Sequence, residues 1–267
     1  MIDWVRSRWL ARRWTIWVPL AILLLALLLT PPGLLDKAHL VGYGVCHQIP
    51  ERSFQPGGVP LPLCARCSGT FLGGLLGLAL VGLLGRWRAA VMPPPRVLVL
   101  LVVFVLFMGV DGANSYISFF PGLPHLYAPN DALRVISGAL CGLAMALLLQ
   151  PVVAMVAWRE PQPRQAVPDL QTLAGFVAAE LALAYLLHAE WAWSLYPLAL
   201  LSAAGVLAML TAINTALVII VARRENSVAS WRQMWPYVLW GGAASVAQLA
   251  AVGLARTLLS RWLGVPI

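Results

Sequence analysis

Charged residues are scarce in this chain: 18 Lys and Arg and 10 Asp and Glu occur among 267 residues. Soluble domains carry about 25% charged residues, whereas here they make up 10% and hydrophobic residues make up 61%. This imbalance excludes an ordinary soluble domain and indicates that the chain folds in lipid. The sequence also lacks a recognisable nucleotide-binding, haem-attachment or protease motif, which argues against those enzyme classes.

Seven apolar stretches approach the length of a membrane-spanning helix, which needs about 20 residues because its backbone must satisfy its own hydrogen bonds in hydrocarbon. The sequence therefore predicts an all-α, polytopic transmembrane bundle of about seven helices, with six as the alternative count because the third stretch turns polar at Asp111. The predicted spans are Trp9–Leu29, Ser68–Leu84, Val97–Ile117, Leu133–Val156, Leu170–Leu187, Leu195–Val221 and Trp235–Leu259. We treat residues 1–267 as a single membrane domain, with an outer loop over 30–67, motif-bearing helices over 68–156 and C-terminal helices over 170–259.

The basic residues predict how the bundle is oriented. A cytoplasmic N-terminus places twelve of the eighteen basic residues on the inner side, as the positive-inside rule expects. We expect a multi-pass protein of the plasma (inner) membrane whose first apolar stretch is retained, since residues 30–33 offer no small-x-small cleavage site. The net charge of +8 belongs to the inner loops, so the expected partner is the lipid bilayer and no nucleic acid is expected.

Three of the four cysteines and one of the four histidines fall within residues 46–67, in the longest connection between spans. Cys64 and Cys67 have the Cys-x-x-Cys spacing that lets two thiolates converge on one ion, and Cys46 with His47 would complete a tetrahedron. Three thiolates and one imidazole suit zinc. The pattern predicts a zinc-like site, although the adjacency of Cys46 and His47 leaves open that one of them only supports a ligand.

The same cysteines also suit redox chemistry. Cys64 and Cys67 precede the helix predicted to begin at Ser68, where the helix dipole and Arg66 would stabilise a thiolate. A thiol-disulfide oxidoreductase that passes electrons to quinone is therefore an alternative, although only Cys46 is left where such a relay needs a second pair. A structural disulfide and inert thiols are the plainer alternatives. Cys141, which lies mid-helix among Leu and Ala, is predicted to be a small buried apolar residue.

Polar residues inside the predicted spans form a second candidate site. Asp111 shares a helix face with Asn114 and Ser115, and Arg134 lies near the start of the next span. A carboxylate inside the membrane is costly and by default marks a functional site or an ion pair. We predict that Asp111 pairs with Arg134 beneath the cysteine cluster, with Asp111 as catalytic base and Arg134 as anion clamp. A salt bridge that only fixes helix packing is the equally open alternative.

Whether the protein is an enzyme is not decided by these patterns. A metal-dependent enzyme predicts an open coordination position, in which the ion polarises a substrate or activates water. A transporter, or a non-catalytic subunit with membrane-protein partners, predicts instead that Asp111, Arg134 and Glu180 matter more than the cysteines. Glu180, Asn214 and Gln248 are each predicted to hold helices together by hydrogen bonds.

Two groups of motifs resemble a known family. The first is the run from Cys46 to Phe54 with Pro62–Gly69 and Gly73, and the second comprises Asp111, Gly112, Asn130, Arg134, Ser137, Gly138 and Gly142. Together they resemble prokaryotic polytopic membrane proteins that are catalogued only as a domain of unknown function. The resemblance covers about the first half of the chain and implies that the cysteines, His47, Asp111 and Arg134 act as one set. Asn114 stands near where the family pattern suggests Gln.

Overall fold

The computed structural model describes residues 14–120, 124 and 126–264, and this part of the chain is mainly helical. The long elements are α1 (Trp14–Leu29), α2 (Leu34–Tyr43), α3 (Ala65–Leu83), α4 (Pro95–Ile117), α5 (Asp131–Ala157), α6 (Leu170–His188), α7 (Leu195–Val221) and α8 (Trp231–Leu263). Two short strands, β1 (Ala89–Val91) and β2 (Gln162–Gln165), and three 3₁₀ turns, Pro50–Arg52, Pro56–Gly58 and Ala192–Ser194, complete the described elements.

Six of these helices, α3 to α8, are long and apolar enough to cross a membrane, and α5 and α3 are the most buried of them. Helices α1 and α2 meet at an angle of 112° and together form a seventh candidate span. The predicted all-α polytopic bundle of about seven helices is thus confirmed. Trp9, at which the first span was predicted to begin, lies outside the described residues, and the cytoplasmic position of the N-terminus stays a prediction.

The predicted outer loop over residues 30–67 contains helical structure at both ends. Helix α2 follows a sharp turn. Lys37 stabilises this turn, because its Nζ donates hydrogen bonds to the Leu27 carbonyl oxygen at 2.8 Å and to Thr30 Oγ1 at 2.7 Å. Helix α3 begins at Ala65, three residues before the predicted start at Ser68, so Cys64 is its N-cap residue. Cys67 therefore lies in the first turn of a helix and is held as rigidly as the helix itself.

Helices α3 and α5 pack with their backbones almost in contact, because small residues face each other along both helices. A Cβ atom added at Gly138 would lie 2.2 Å from the Arg66 carbonyl oxygen, and one at Gly142 would lie 2.0 Å from that of Thr70. Close approach of this kind is typical of helix pairs in membranes, where small residues allow extensive van der Waals contact. The pairing fixes the first turn of α3, which carries Arg66 and Cys67, against the first turns of α5.

The two ends of the bundle differ in composition. At what we call the cysteine end, residues 44–64 connect α2 with the start of α3, and Arg52 of this segment lies 3.7 Å from the centroid of the Phe119 ring, just after α4. At the arginine end, residues 84–94, 158–169 and 222–230 meet through the parallel pairing of β1 with β2 and a bridge between Trp158 and Val228. The arginines of that end are Arg86, Arg88, Arg96, Arg159, Arg164, Arg223, Arg224 and Arg232. The positive-inside rule predicts that an end of this composition is cytoplasmic, and the orientation of the bundle stays a prediction.

Candidate metal centre

The loop after α2 is folded so that Cys46 lies beside Cys64. Gln48 adopts a left-handed backbone conformation (φ 55°), which reverses the chain direction directly after Cys46 and His47. Its side-chain amide donates hydrogen bonds to the His39 and Pro62 carbonyl oxygens, both at 2.8 Å. Since Pro62 lies two residues before Cys64, this amide ties the two cysteine-bearing segments together.

Helix α8 holds the same loop from the opposite side. The Arg256 guanidinium donates hydrogen bonds to the backbone carbonyl oxygens of Tyr43, Cys46 and His47, and it lies 4.3 Å from the centroid of the Tyr43 ring. Five N–H donors in a rigid plane suit this task, because one side chain can satisfy several carbonyl groups of a turn. The shape of the cysteine loop therefore depends on the last helix of the chain.

Cys46, His47 and Cys64 offer ligand atoms that all lie within 4.8 Å of one another. Ligand atoms of a tetrahedral zinc ion are separated by about 3.3–3.8 Å, given Zn–S and Zn–N bonds of about 2.3 and 2.0 Å. Movements of about 1 Å would therefore bring these three atoms onto one ion. Cys67 is outside this group of three, but it packs against the cluster that contains Cys46 and Cys64, so it lies near the position of a fourth ligand.

The surroundings of Cys46 favour a thiolate. Its Sγ accepts hydrogen bonds from the backbone N–H groups of Cys64 and Gln48, at 3.2 and 3.5 Å. Hydrogen bonds from the thiols of Cys64 and Cys67 are the main cause that lowers the pKa of Cys46, and the bond with Cys46 raises the pKa of Cys64. Cys46 is therefore the first of these two thiols to ionise. All four cysteines are free thiols in the structure.

His47 is the exposed member of the group. Its Nδ1 accepts a hydrogen bond from the Ile49 N–H at 3.0 Å, so Nδ1 is the ring nitrogen that carries the lone pair. Partial burial of the ring, together with the nearby charges of Arg52 and Arg256, lowers the pKa of His47. A neutral imidazole is the form that binds metal, and Nδ1 would exchange its bond to Ile49 for the ion.

Asp111 pairs with Arg66 and not with Arg134, so the predicted ion pair is wrong. Its carboxylate is fully buried. Oδ2 accepts hydrogen bonds from Arg66 Nε at 3.0 Å, from Arg66 Nη2 and from the Ser137 hydroxyl at 3.3 Å. Oδ1 accepts one from the Tyr127 hydroxyl at 2.7 Å. Arg66 reaches Asp111 because it projects from the first turn of α3 towards α4, where its Nη2 also donates to Ser115.

Arg134 instead pairs with Asp131, one turn earlier on α5, at 2.7 Å. This i, i+3 pair lies at the start of α5. The Asn130 side chain accepts a hydrogen bond from the Leu133 N–H there and caps the helix, as the sequence suggests. Because the Arg134 guanidinium is paired with a carboxylate of its own helix, it does not pair with Asp111 of α4. Arg134 still belongs to the cysteine end, since Ser137, one turn further on, bonds both its backbone carbonyl and Asp111.

Arg66 connects the cysteine cluster with the group of polar residues around Asp111, which the sequence suggested as two separate candidate sites. It lies between Cys64 and Cys67 in the chain, and its side chain ends on Asp111, so the carboxylate holds the Cys-x-x-Cys turn in place. Burial raises the pKa of Tyr127 to about 12, with the bond to Asp111 as a second cause, so this hydroxyl stays a donor at neutral pH. The sequence analysis missed Tyr127 and Arg256 as contributors and included Gln48 only as part of a motif, because only tertiary contacts give these residues a role.

The other polar residues inside the predicted spans differ in whether they form hydrogen bonds between helices. Asn214 of α7 donates hydrogen bonds to Ser245 and Gln248 of α8 at 2.9 and 3.2 Å, which is the interhelical bonding predicted for it. Cys141 is buried, as predicted. Glu180 is buried too but makes no such bond in the part of the chain that the structure describes, so its predicted packing role is not observed.

Residues 46–148, which contain Cys46, His47, Cys64, Cys67, Asp111 and Arg134, match the model of a family described as "Predicted membrane protein (DUF2085)". An uncharacterized protein of Methanocaldococcus jannaschii is 29% identical over 108 residues, which are 40% of this chain and 63% of that relative. No solved structure matches the chain. Neither description names an activity, so the chemistry of the site has to be argued from its residues.

Proposed function

We propose that the cysteine end of this chain, whose residues 46–148 match the model of a family of membrane proteins, binds a zinc-like metal ion through Cys46, His47, Cys64 and Cys67. The observation that carries the proposal is the convergence of three ligand atoms within 4.8 Å, from residues up to 18 positions apart. Sulfur and imidazole are the ligands that zinc prefers, and backbone N–H bonds to Cys46 Sγ are typical support for a metal-bound thiolate.

The number of sulfur ligands decides what such an ion would do. With Cys67 as fourth ligand the site would be closed and structural, clamping the loop onto α3. With the fourth position left to water or a substrate, the ion would act as a Lewis acid or lower the pKa of the bound water. The exposure of His47 supports access from the aqueous side. Both readings predict the same ion, and they differ only in the role of Cys67.

We assign Asp111 a positioning role within this proposal. Its oxygens accept hydrogen bonds from Arg66, Tyr127 and Ser137, and the side chain has no exposed surface in the described structure. Its carboxylate would fix Arg66 and, through it, the turn that carries Cys64 and Cys67. Arg134, which lies at the same end, keeps its proposed part as an anion clamp, with Asp131 as its resting partner.

We further propose a plasma-membrane setting, with the cysteine end outside and the arginine end in the cytoplasm. The positive-inside distribution of arginines supports this orientation. The exposed apolar faces of the helices would contact lipid, and partner subunits of a membrane complex would pack on the same faces.

Elemental analysis of the purified protein tests the metal proposal. We expect about one zinc ion per chain in the wild type and a loss of most of it in the Cys64→Ser, Cys67→Ser double variant, because two of four ligands are removed. The matched control is Cys141→Ser, which changes a buried cysteine of α5 and should leave the metal content unchanged. A wild-type protein without metal in which all thiols are free would contradict the proposal.

A thiol redox function is the second candidate, because Cys64 and Cys67 lie at the N-terminus of α3 and Cys46 lies close to Cys64. In this case no metal would be found, and two thiols would be missing from a thiol count until a reductant is added. Binding of a quinone would then be the next measurement, since the electrons from the dithiol need an acceptor.

A further inference from the structure

Glu180 is an ionisable group that the metal proposal does not use. It lies at the middle of α6, a helix long and apolar enough to span the membrane, and its side chain is fully buried. In the part of the chain that the structure describes, neither carboxyl oxygen has a hydrogen-bond partner. A charged carboxylate without any partner is among the most unfavourable groups that a protein can bury.

A glycine provides the space for this carboxyl group. A Cβ atom added at Gly73 of α3 would lie 2.8 Å from Glu180 Oε2 and 2.6 Å from the Ala139 carbonyl oxygen of α5. Glu180 Oε2 thus lies beside Gly73, where α3 packs closely on Ala139 of α5. Gly73 lies eight residues, about 12 Å, beyond Ala65 along α3, so the carboxyl lies well below the cysteine end.

The ionisable groups on the helices packed against α6 do not neutralise Glu180. On α3 and α5, Arg66 and Arg134 lie at the first turns and are paired with Asp111 and Asp131. On α4, Arg96 is exposed at the arginine end. The other titratable groups of these helices are Cys67, Tyr116 and Cys141; α6 itself adds Tyr185 and His188 near its end, and α7, which shares a core cluster with α6, adds Tyr196.

We propose that Glu180 is a proton-binding site inside the membrane-spanning bundle, which holds its carboxyl group protonated at neutral pH and releases the proton when the pH rises. A proton is the ligand that fits, because it removes the charge without needing the ring of oxygen ligands that a metal cation requires. A carboxyl group of this kind is the chemistry from which membrane proteins build proton relays. The inference is independent of the metal site.

Infrared spectroscopy of the purified protein in lipid tests this inference directly. A protonated carboxylic acid gives a carbonyl stretch that a carboxylate lacks. We expect this band in the wild type at neutral pH, its reversible loss at alkaline pH and its absence in Glu180→Gln. The matched control is Glu190→Gln, which changes an exposed carboxylate and should leave the band intact. The band should also persist in the Cys64→Ser, Cys67→Ser variant, which separates this test from that of the metal proposal.

A spectrum without the band, or with a band that does not change with pH or that survives in Glu180→Gln, would overturn the inference. If Glu180→Gln does not fold, dicyclohexylcarbodiimide labelling of the wild type replaces the comparison, because this apolar reagent adds to protonated carboxyl groups within membranes. Mass spectrometry should then find Glu180 modified at neutral pH and unmodified at alkaline pH. Labelling that misses Glu180 would overturn the inference in that case.

Discussion

Replacing Arg66 by methionine is expected to lower the free energy of unfolding by about 3–5 kcal/mol, the cost of leaving one partner of a buried ion pair uncompensated. Methionine keeps most of the apolar part of the arginine side chain, so the loss of stability measures the contribution of the guanidinium group. Asp111 has no exposed surface and cannot turn to water, whereas Arg66 retains 18% exposure of its side chain. Unfolding by a denaturing detergent, followed by circular dichroism in mixed micelles, measures the change.

The matched control is Arg134→Met, because its partner Asp131 keeps 32% of its side chain exposed and can be hydrated. Pairs of that kind contribute about 0–1 kcal/mol. Adding Asp111→Asn to Arg66→Met should restore part of the lost stability, since the amide is neutral and still accepts from Tyr127. Equal losses in the two single variants, or a larger loss in Arg134→Met, would show that Arg134 is the partner of Asp111 after all.

Replacing Gly142 by alanine is expected to destabilise the protein by at least about 1–3 kcal/mol, the usual cost of overpacking. The new methyl group would lie 2.0 Å from the Thr70 carbonyl oxygen and 2.7 Å from the Gly74 nitrogen. Both obstacles are backbone atoms of α3, so no side-chain rotation relieves the clash and the two helices must separate. The same detergent titration measures this change, and metal content should fall with it because α3 carries Cys67.

Gly112→Ala is the control for the glycine prediction. Gly112 lies inside α4, and a Cβ atom added there would meet nothing within 4 Å. Since alanine is the better helix former and restricts the unfolded chain, this variant should be unchanged or more stable by about 0.4–1 kcal/mol. A loss of stability in Gly112→Ala equal to that in Gly142→Ala would indicate a general effect of glycine and would refute close packing of α3 on α5 as the cause.

The cysteine cluster was predictable from sequence for a reason that applies to few other residues of this chain. Cysteine is rare here, so the presence of three of the four cysteines within residues 46–67 indicates chemistry before any fold is known. Their spacing, however, does not fix the order of the contacts. Gln48 and Arg256, which shape the loop, look like ordinary polar residues in the sequence, and Arg256 acts from more than 200 positions away.

The partner of Asp111 illustrates the limit of pairing charges by sequence. Arg134 was the natural choice because it lies on the next span and at the same depth. The structure instead connects Asp111 with Arg66, which the sequence places inside the Cys-x-x-Cys turn. Which of two arginines reaches one carboxylate depends on the rotation of each helix about its own axis, and that rotation is set by the glycine contacts between α3 and α5.

The sequence by itself determined that this protein is a helical membrane bundle of about seven spans with a cysteine cluster at one end, because apolar runs of sufficient length have few alternatives in lipid. Tertiary structure alone decided which polar groups inside the bundle find partners: Asp111 gains Arg66, Tyr127 and Ser137, while Glu180 finds none among the described residues. The physical reason is that hydropathy depends on local composition, whereas the partners of a buried charge depend on the packing of helices that are distant in the chain.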